Sequence, residues 1–247
     1  MTEALERLFK PTPPSNPEVL GVLIAALEIA NATKTTPADP HLVEVLLRIG
    51  SVAHSLAAVG VDLARAREGV RRVIAKLPRR PGALTRTRDM LRNTRAALDP
   101  LYRVREKAMA AGLAEVDGPF ALVTIVADTP NRELEGALKD AGFSLLAYRW
   151  YVAHHGAIDG ACPLEGPVRI AFYNDPFTPM ELVVSLLTQV FDRDEETART
   201  LMLRTHEDGL AVLATMDAPV AARRLAEARS RAKKLDFPLR ITAERAA

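Results

Sequence analysis

Cysteine is almost absent from this sequence: Cys162 stands alone among 247 residues. One thiol excludes an intramolecular disulfide framework and a multi-cysteine zinc site, and it fits a reducing compartment. Glycine is sparse as well. None of the 13 glycines opens the G-x-x-x-x-G-K-[ST] loop that cradles nucleotide phosphates, so ATP hydrolysis by this chain is not expected. Excess charge is small, with 33 Lys and Arg facing 31 Asp and Glu for a formal net charge of +2. That surplus argues against the whole chain being a nucleic-acid binder, so any basic function must be local. Long hydrophobic runs are missing. Residues 19–30 are broken by Glu28 and fall short of the roughly 18 to 20 apolar residues of a membrane span. Residues 1–10 carry Glu3 and Glu6 and lack the basic start and apolar stretch of a signal peptide. A cytoplasmic protein that spans no membrane is the expectation. What is present is a chain with 48% apolar and 26% charged residues, enough to bury a sizeable core and long enough for two domains.

Prolines at 11, 13, 14 and 17 make residues 1–17 an opening segment that cannot continue a helix. From residue 18 to about 74 the apolar residues recur at helical spacing, for example Leu42, Val45, Leu46 and Ile49, and an all-α region is expected over 18–153. It contains a degenerate repeat. Pro40-His41-Leu42-Val43 followed by Gly60-Val61-Asp62-Leu63 has a counterpart in Pro119-Phe120-Ala121-Leu122 followed by Gly142-Phe143-Ser144-Leu145. In each copy a proline starts an apolar helix and a glycine ends another as a left-handed cap. Two repeats are expected, about 18–75 and 96–153. Between them, residues 76–95 hold seven basic residues against Asp89 alone. Without interleaved aromatics this run reads as a solvated linker rather than a nucleic-acid site.

Glycines and prolines cluster again over residues 154–167, a second linker. His154, His155, Asp159 and Cys162 fall there but match no standard ligand spacing, so no metal or other cofactor is expected. Beyond it the pattern changes. Val168, Ile170 and Phe172 alternate with Arg169, Ala171 and Tyr173 as in a strand with one buried face. Thr178-Pro179-Met180-Glu181 reads as a helix start with Thr178 as cap, and Asp194 caps a second helix that Gly209 ends. A strand over 210–216, a third helix from Asp217 and Pro219, and a last strand over 239–243 complete a small α+β domain, 168–247. No catalytic motif appears: there is no G-x-S-x-G, no H-E-x-x-H and no thiol-enzyme pattern, so the chain is not expected to be an enzyme.

The run Tyr173-Asn174-Asp175-Pro176-Phe177-Thr178-Pro179-Met180-Glu181-Leu182-Val183-Val184, then Leu201-Met202-Leu203-Arg204-Thr205-His206-Glu207-Asp208-Gly209, and finally Phe237-Pro238-Leu239, resembles the ClpS adaptor family in order and spacing across about a third of the chain. The upstream helical repeats are similar to the double repeat of the N-terminal (Clp N) domain of Clp ATPases. The resemblance implies an all-α Clp N-like double repeat followed by a small α+β ClpS-like domain, a three-stranded antiparallel sheet with three helices. It implies a non-enzymatic adaptor that binds the N-terminal residue of substrates, an N-degron with a bulky hydrophobic first side chain, and delivers them to a Clp AAA+ ATPase and its peptidase. By this similarity Asn174, Asp175 and His206 bind the α-amino group. Thr178, Met180, Val183, Met202, Thr205 and Leu239 line the pocket for the first side chain, with Met180 at the position of the family's methionine gate. Arg224 keeps a basic position on the surface by which such adaptors dock on the ATPase.

Departures qualify what carries over. Pro176 replaces a commonly acidic residue, Thr205 stands where an aliphatic residue is usual and makes that wall more polar, and Pro219 occupies a usually acidic docking position. Read from pattern alone, Asn174 and Asp175 also fit a turn and a helix cap, Met180, Val183 and Met202 at helical spacing are more often core, and a lone His206 is more often a structural histidine. An N-domain-like module and an adaptor-like module on one chain raise each other's effective concentration, which favours their packing together. A scaffold or decoy that regulates Clp assembly without binding N-degrons, and a nucleic-acid-associated factor using the basic linker, are the competing readings.

Overall fold

Two central helices of the first half are buried on nearly every side, one almost wholly apolar and the other carrying Asp39, His41 and Glu44 inward, and this sets the architecture there. A computed structural model describes residues 17–80, 87–155, 162–163 and 165–246. Most of the expected N-terminal segment, the middle of the basic linker (81–86) and half of the second linker therefore lie outside the described residues. The chain divides into two units, Met1–Tyr148 and Arg149–Ala247.

The first unit is helical: α1 (Pro17–Thr33), α2 (Asp39–Leu46), α3 (Gly50–Ala58), α4 (Leu63–Lys76), α5 (Thr87–Ala110), α6 (Gly118–Asp128), α7 (Arg132–Asp140) and the start of α8 (Leu145–His154). Helices α2 and α6 pack on each other at its centre and are buried along almost their whole length. Each has proline at its first turn, where a missing amide costs nothing. Helix α4 packs on α7, and Gly69 approaches Ala137 so closely that an added Cβ would lie 3.0 Å from the Ala137 Cβ. Gly60 and Gly142 follow α3 and α7 at φ +81° and +90°. In both places the next helix is then started by an acceptor side chain, Asp62 Oδ1 taking the Arg65 amide at 3.0 Å and Ser144 Oγ the Ala147 amide at 3.3 Å. Some buried polar groups of this unit are paired internally, whereas Glu44 Oε2 and Thr124 Oγ1 have no hydrogen-bond partner among the described residues. His41 Nδ1 accepts the Ala38 amide (3.1 Å), so its Nε2 donates to Thr35 Oγ1 (2.8 Å), which in turn donates to Thr33 Oγ1 (2.8 Å). Glu44 Oε1 takes Arg48 and Arg71 at 2.8 and 2.9 Å.

The second unit comprises the rest of α8, β1 (Pro167–Tyr173), α9 (Met180–Gln189), α10 (Glu195–Asp208), β2 (Leu210–Asp217), α11 (Ala218–Lys234) and β3 (Ile241–Arg245). Its sheet is antiparallel with order β2-β1-β3. Val168, Ile170 and Phe172 point from the central strand into a core completed by Leu186, Leu187 and Phe191, by Ala221, Leu225 and Ala228 of α11, and by Ile241 and Ala243. Phe172 and Phe191 meet edge-on, centroids 5.5 Å apart, the arrangement ring quadrupoles favour. The register slips between Ile170 and Ala171, so that β2 carries one extra residue at Leu213. A small three-stranded antiparallel sheet with three helices thus follows a helical region.

Three local expectations shift. Helix α9 begins at Met180 with Pro179 as N-cap and no side-chain cap bond, so Thr178 does not cap it. The last strand runs over 241–245, two residues later than expected, which leaves Leu239 buried ahead of it. His154, expected in a linker, ends α8 and bonds the Pro238 carbonyl.

Candidate functional site

Asn174 and Asp175 follow the end of the central strand. Tyr173 is the last residue of β1, and beyond it the ladder continues by single bonds: the Tyr173 amide donates to Arg240 O (3.0 Å) and the Asn174 amide to Gly209 O (2.8 Å). Asn174 is thereby held beside the end of α10, where Gly209 closes the helix at φ +80°. Its side-chain Nδ2 lies 3.5 Å from the His206 carbonyl oxygen. Asn174 and His206, 32 residues apart in sequence, share one place.

Asp175 makes the turn that follows. Its Oδ1 accepts two backbone amides, from Phe177 at 2.9 Å and Thr178 at 2.7 Å. Pro176 sits between as the one residue with no amide to give, its φ fixed for the first turn position. The absence of an amide at Pro176 leaves this turn intact, because the two bonds come from Phe177 and Thr178. Asp175 is only 8% exposed, and its second oxygen, Oδ2, has no hydrogen-bond partner among the described residues. Thr178 Oγ1 is likewise buried and without one. A buried carboxylate oxygen in this state is costly unless a donor meets it, and more so because it carries charge. An ammonium group with several donors is the chemical complement.

The apolar residues divide. Val183 and Leu239 are buried in the core of the unit, and Met202 packs against that core while partly exposed. Met180 is partly exposed at the first turn of α9, and Thr178 is partly exposed just before it. Thr205 is buried, and its hydroxyl donates to Leu201 O at 2.8 Å. The expectation that Thr205 makes its wall more polar is offset, because the hydroxyl proton is used within its own helix. Arg224 is engaged as well, in an ion pair with Asp192.

Sequence reasoning passed over the aromatic flanks of this region. Phe177 and Phe237 lie on the two segments that carry Thr178 and Leu239, and Arg149 of α8 contacts both rings. Neither ring lies on a periodic apolar face, so no pattern signalled them. Among the described residues no group of His, Cys, Asp and Glu could hold a metal ion, and no helix is long and apolar enough to cross a membrane.

The family model described as ATP-dependent Clp protease adaptor protein ClpS matches residues 165–242. The ATP-dependent Clp protease adapter protein ClpS of Nitratidesulfovibrio vulgaris is 40% identical over 76 residues, 31% of this chain and 76% of that one. The chain belongs to the ClpS family. The ClpS of Cupriavidus taiwanensis is 36% identical over 78 residues, 32% of this chain and 72% of that one. Agrobacterium tumefaciens ClpS2, solved bound to L-phenylalaninamide, is 33% identical over 32% of this chain and 94% of its own, with a TM-score of 0.31. The ClpS-family match therefore spans the second unit from just before β1 to β3, and the helical region before it lies outside the match.

Proposed function

We propose that this chain is a non-enzymatic adaptor of a Clp AAA+ protease, which binds the N-terminal residue of protein substrates through its ClpS-family domain. The observation that carries the reading is Asp175. A turn needs one of its oxygens and spends it on two amides; the other is buried, charged and unpaired among the described residues. A free α-ammonium group supplies the missing donor. Asn174, next to it in sequence, and His206, whose carbonyl lies 3.5 Å from the Asn174 Nδ2, are proposed to supply further acceptors, His206 through an unprotonated ring nitrogen. The first side chain then lies against Thr178, Met180, Val183, Met202, Thr205 and Leu239. Burying a Leu- or Phe-sized group there contributes roughly 1.5 to 3 kcal/mol, enough to favour bulky first residues.

The helical region is proposed to act as a Clp N-like module of two repeats: the proline-started helices α2 and α6 are each followed by a helix, a left-handed glycine and a capped helix in the same order. Partners are then a Clp ATPase with its peptidase and the N-degron substrates, in the cytoplasm. The Arg224–Asp192 pair leaves docking through Arg224 dependent on breaking an intramolecular contact.

Peptides beginning with Leu, Phe, Tyr, Trp, Met or Val, titrated against the purified chain by fluorescence anisotropy, test the site. Bulky first residues are expected to bind more tightly than Val, and acetylation of the amino group to abolish binding. Equal affinity for Val, or indifference to acetylation, overturns the assignment.

A further inference from the structure

We infer that Arg149 and His154, on the second half of α8, are positioning residues for this site: together they clamp the two separate segments that carry Thr178 and Leu239. The inference rests on the peptide-binding reading above. Both residues lie before the ClpS-family match at 165–242.

The geometry is specific. Arg149 Nη1 donates to the Asp236 carbonyl at 2.7 Å, and its guanidinium carbon lies 5.5 Å from the Phe237 ring centroid and 5.9 Å from that of Phe177. One planar cation thus holds two rings from segments 60 residues apart. His154 Nε2 lies 2.7 Å from the Pro238 carbonyl, and since a carbonyl only accepts, that nitrogen carries the proton.

These bonds fall at a stretch of backbone that needs holding. Helix α11 ends where the Asp236 amide donates to Lys233 O and the Phe237 amide to Ala232 O, with Asp236 at φ +58°. Glycine is usual at such a position, because a side chain is strained there. From here alternate carbonyls are tied: Asp236 by Arg149, Pro238 by His154, and Arg240 by the Tyr173 amide. Leu239 hangs between the last two. On the opposite segment, the residue whose ring Arg149 contacts donates its amide to Asp175 Oδ1, on the carboxylate whose other oxygen has no partner among the described residues. Helix α8 therefore aligns the acceptor for the amino group with one wall for the first side chain.

The test uses the full chain and peptides beginning with Leu and Phe. Arg149→Met is expected to weaken both about tenfold. His154→Leu is expected to weaken them as well, and His154→Gln, which keeps a donor near the Pro238 carbonyl, to restore most of the affinity. Melting temperatures are measured alongside. Variants that melt lower but bind as the unaltered chain does overturn the inference and leave a structural role only, as does equal affinity of the Leu and Gln variants at 154. No binding by the unaltered chain overturns the site reading and this inference with it. The pair at His154 decides the matter should Arg149→Met not fold.

Discussion

Replacing Asp175 by Asn separates the two jobs of one carboxylate. The amide keeps an oxygen where Oδ1 accepts the Phe177 and Thr178 amides, at 2.9 and 2.7 Å, so the turn survives. It puts a neutral donor where the unpaired Oδ2 now stands, and a donor facing an ammonium group repels rather than binds it. Hydrogen bonds to charged partners contribute about 1.5 to 3 kcal/mol, which converts to a loss of affinity of roughly 10- to 150-fold for peptides with a free amino-terminal Leu or Phe. Asp175→Ala removes the turn bonds too and should cost a further 1 to 2 kcal/mol or so of stability, the usual range for a lost cap. Isothermal titration of the peptides and thermal unfolding of the three proteins separate the effects. Asn at 175 should melt near the unaltered protein and bind weakly, while Ala should fail on both counts. Unchanged affinity of the Asn variant would show that Oδ2 is not an acceptor for substrate and would refute the reasoning.

Two further outcomes concern the helical unit. Burial, with a smaller contribution from Arg80, holds the His41 imidazole below its ordinary 6.5, against the Ala38 carbonyl oxygen, 3.3 Å from Nδ1, which favours the protonated ring. The unfolded chain therefore binds more protons there just below pH 6.5, so this contribution to stability is complete above that pH and declines as the pH falls through it toward the lower folded value. Urea unfolding at several pH values should show that decline, and His41→Gln should flatten it; an equal slope in the variant removes His41 from the account. Gly142→Ala should destabilise more than Gly60→Ala, since both glycines have positive φ but only at 142 would a Cβ meet a neighbour, the Gly60 carbonyl oxygen at 3.3 Å. Strain alone costs roughly 1 to 2 kcal/mol at either position; equal losses in chemical unfolding would mean that the close approach relaxes freely.

Local features of the second unit were legible because each is a short-range event. The alternation at 168–173 sets one face of β1 inward, Asp194 accepts the Thr197 amide at 2.8 Å, and Gly209 ends α10 in the left-handed region. The start of α9 was misplaced by the same short-range logic: Thr178-Pro179 has the composition of a cap, but the helix begins at Met180 with Pro179 at the cap position, and Thr178 Oγ1 bonds none of its amides. The division between the units was hidden for a different reason. It falls inside α8, between Tyr148 and Arg149, and a continuous helix leaves no break in composition to mark it.

What the sequence by itself determined was the order of the elements, the apolar faces and, through resemblance, the residues of the candidate site. Those follow from periodicity, capping chemistry and a family's fixed spacing, all of which act along the chain. Only the tertiary structure decided which oxygens are spent and which remain. Oδ1 of Asp175 is used by a turn and Oδ2 is not, the Thr205 proton is used by its own helix, Arg224 is taken by Asp192, and Arg149 holds Phe177 and Phe237 together. Each of these depends on partners' positions in space, and side-chain valence is settled by whichever donor or acceptor arrives, which no spacing in the sequence records.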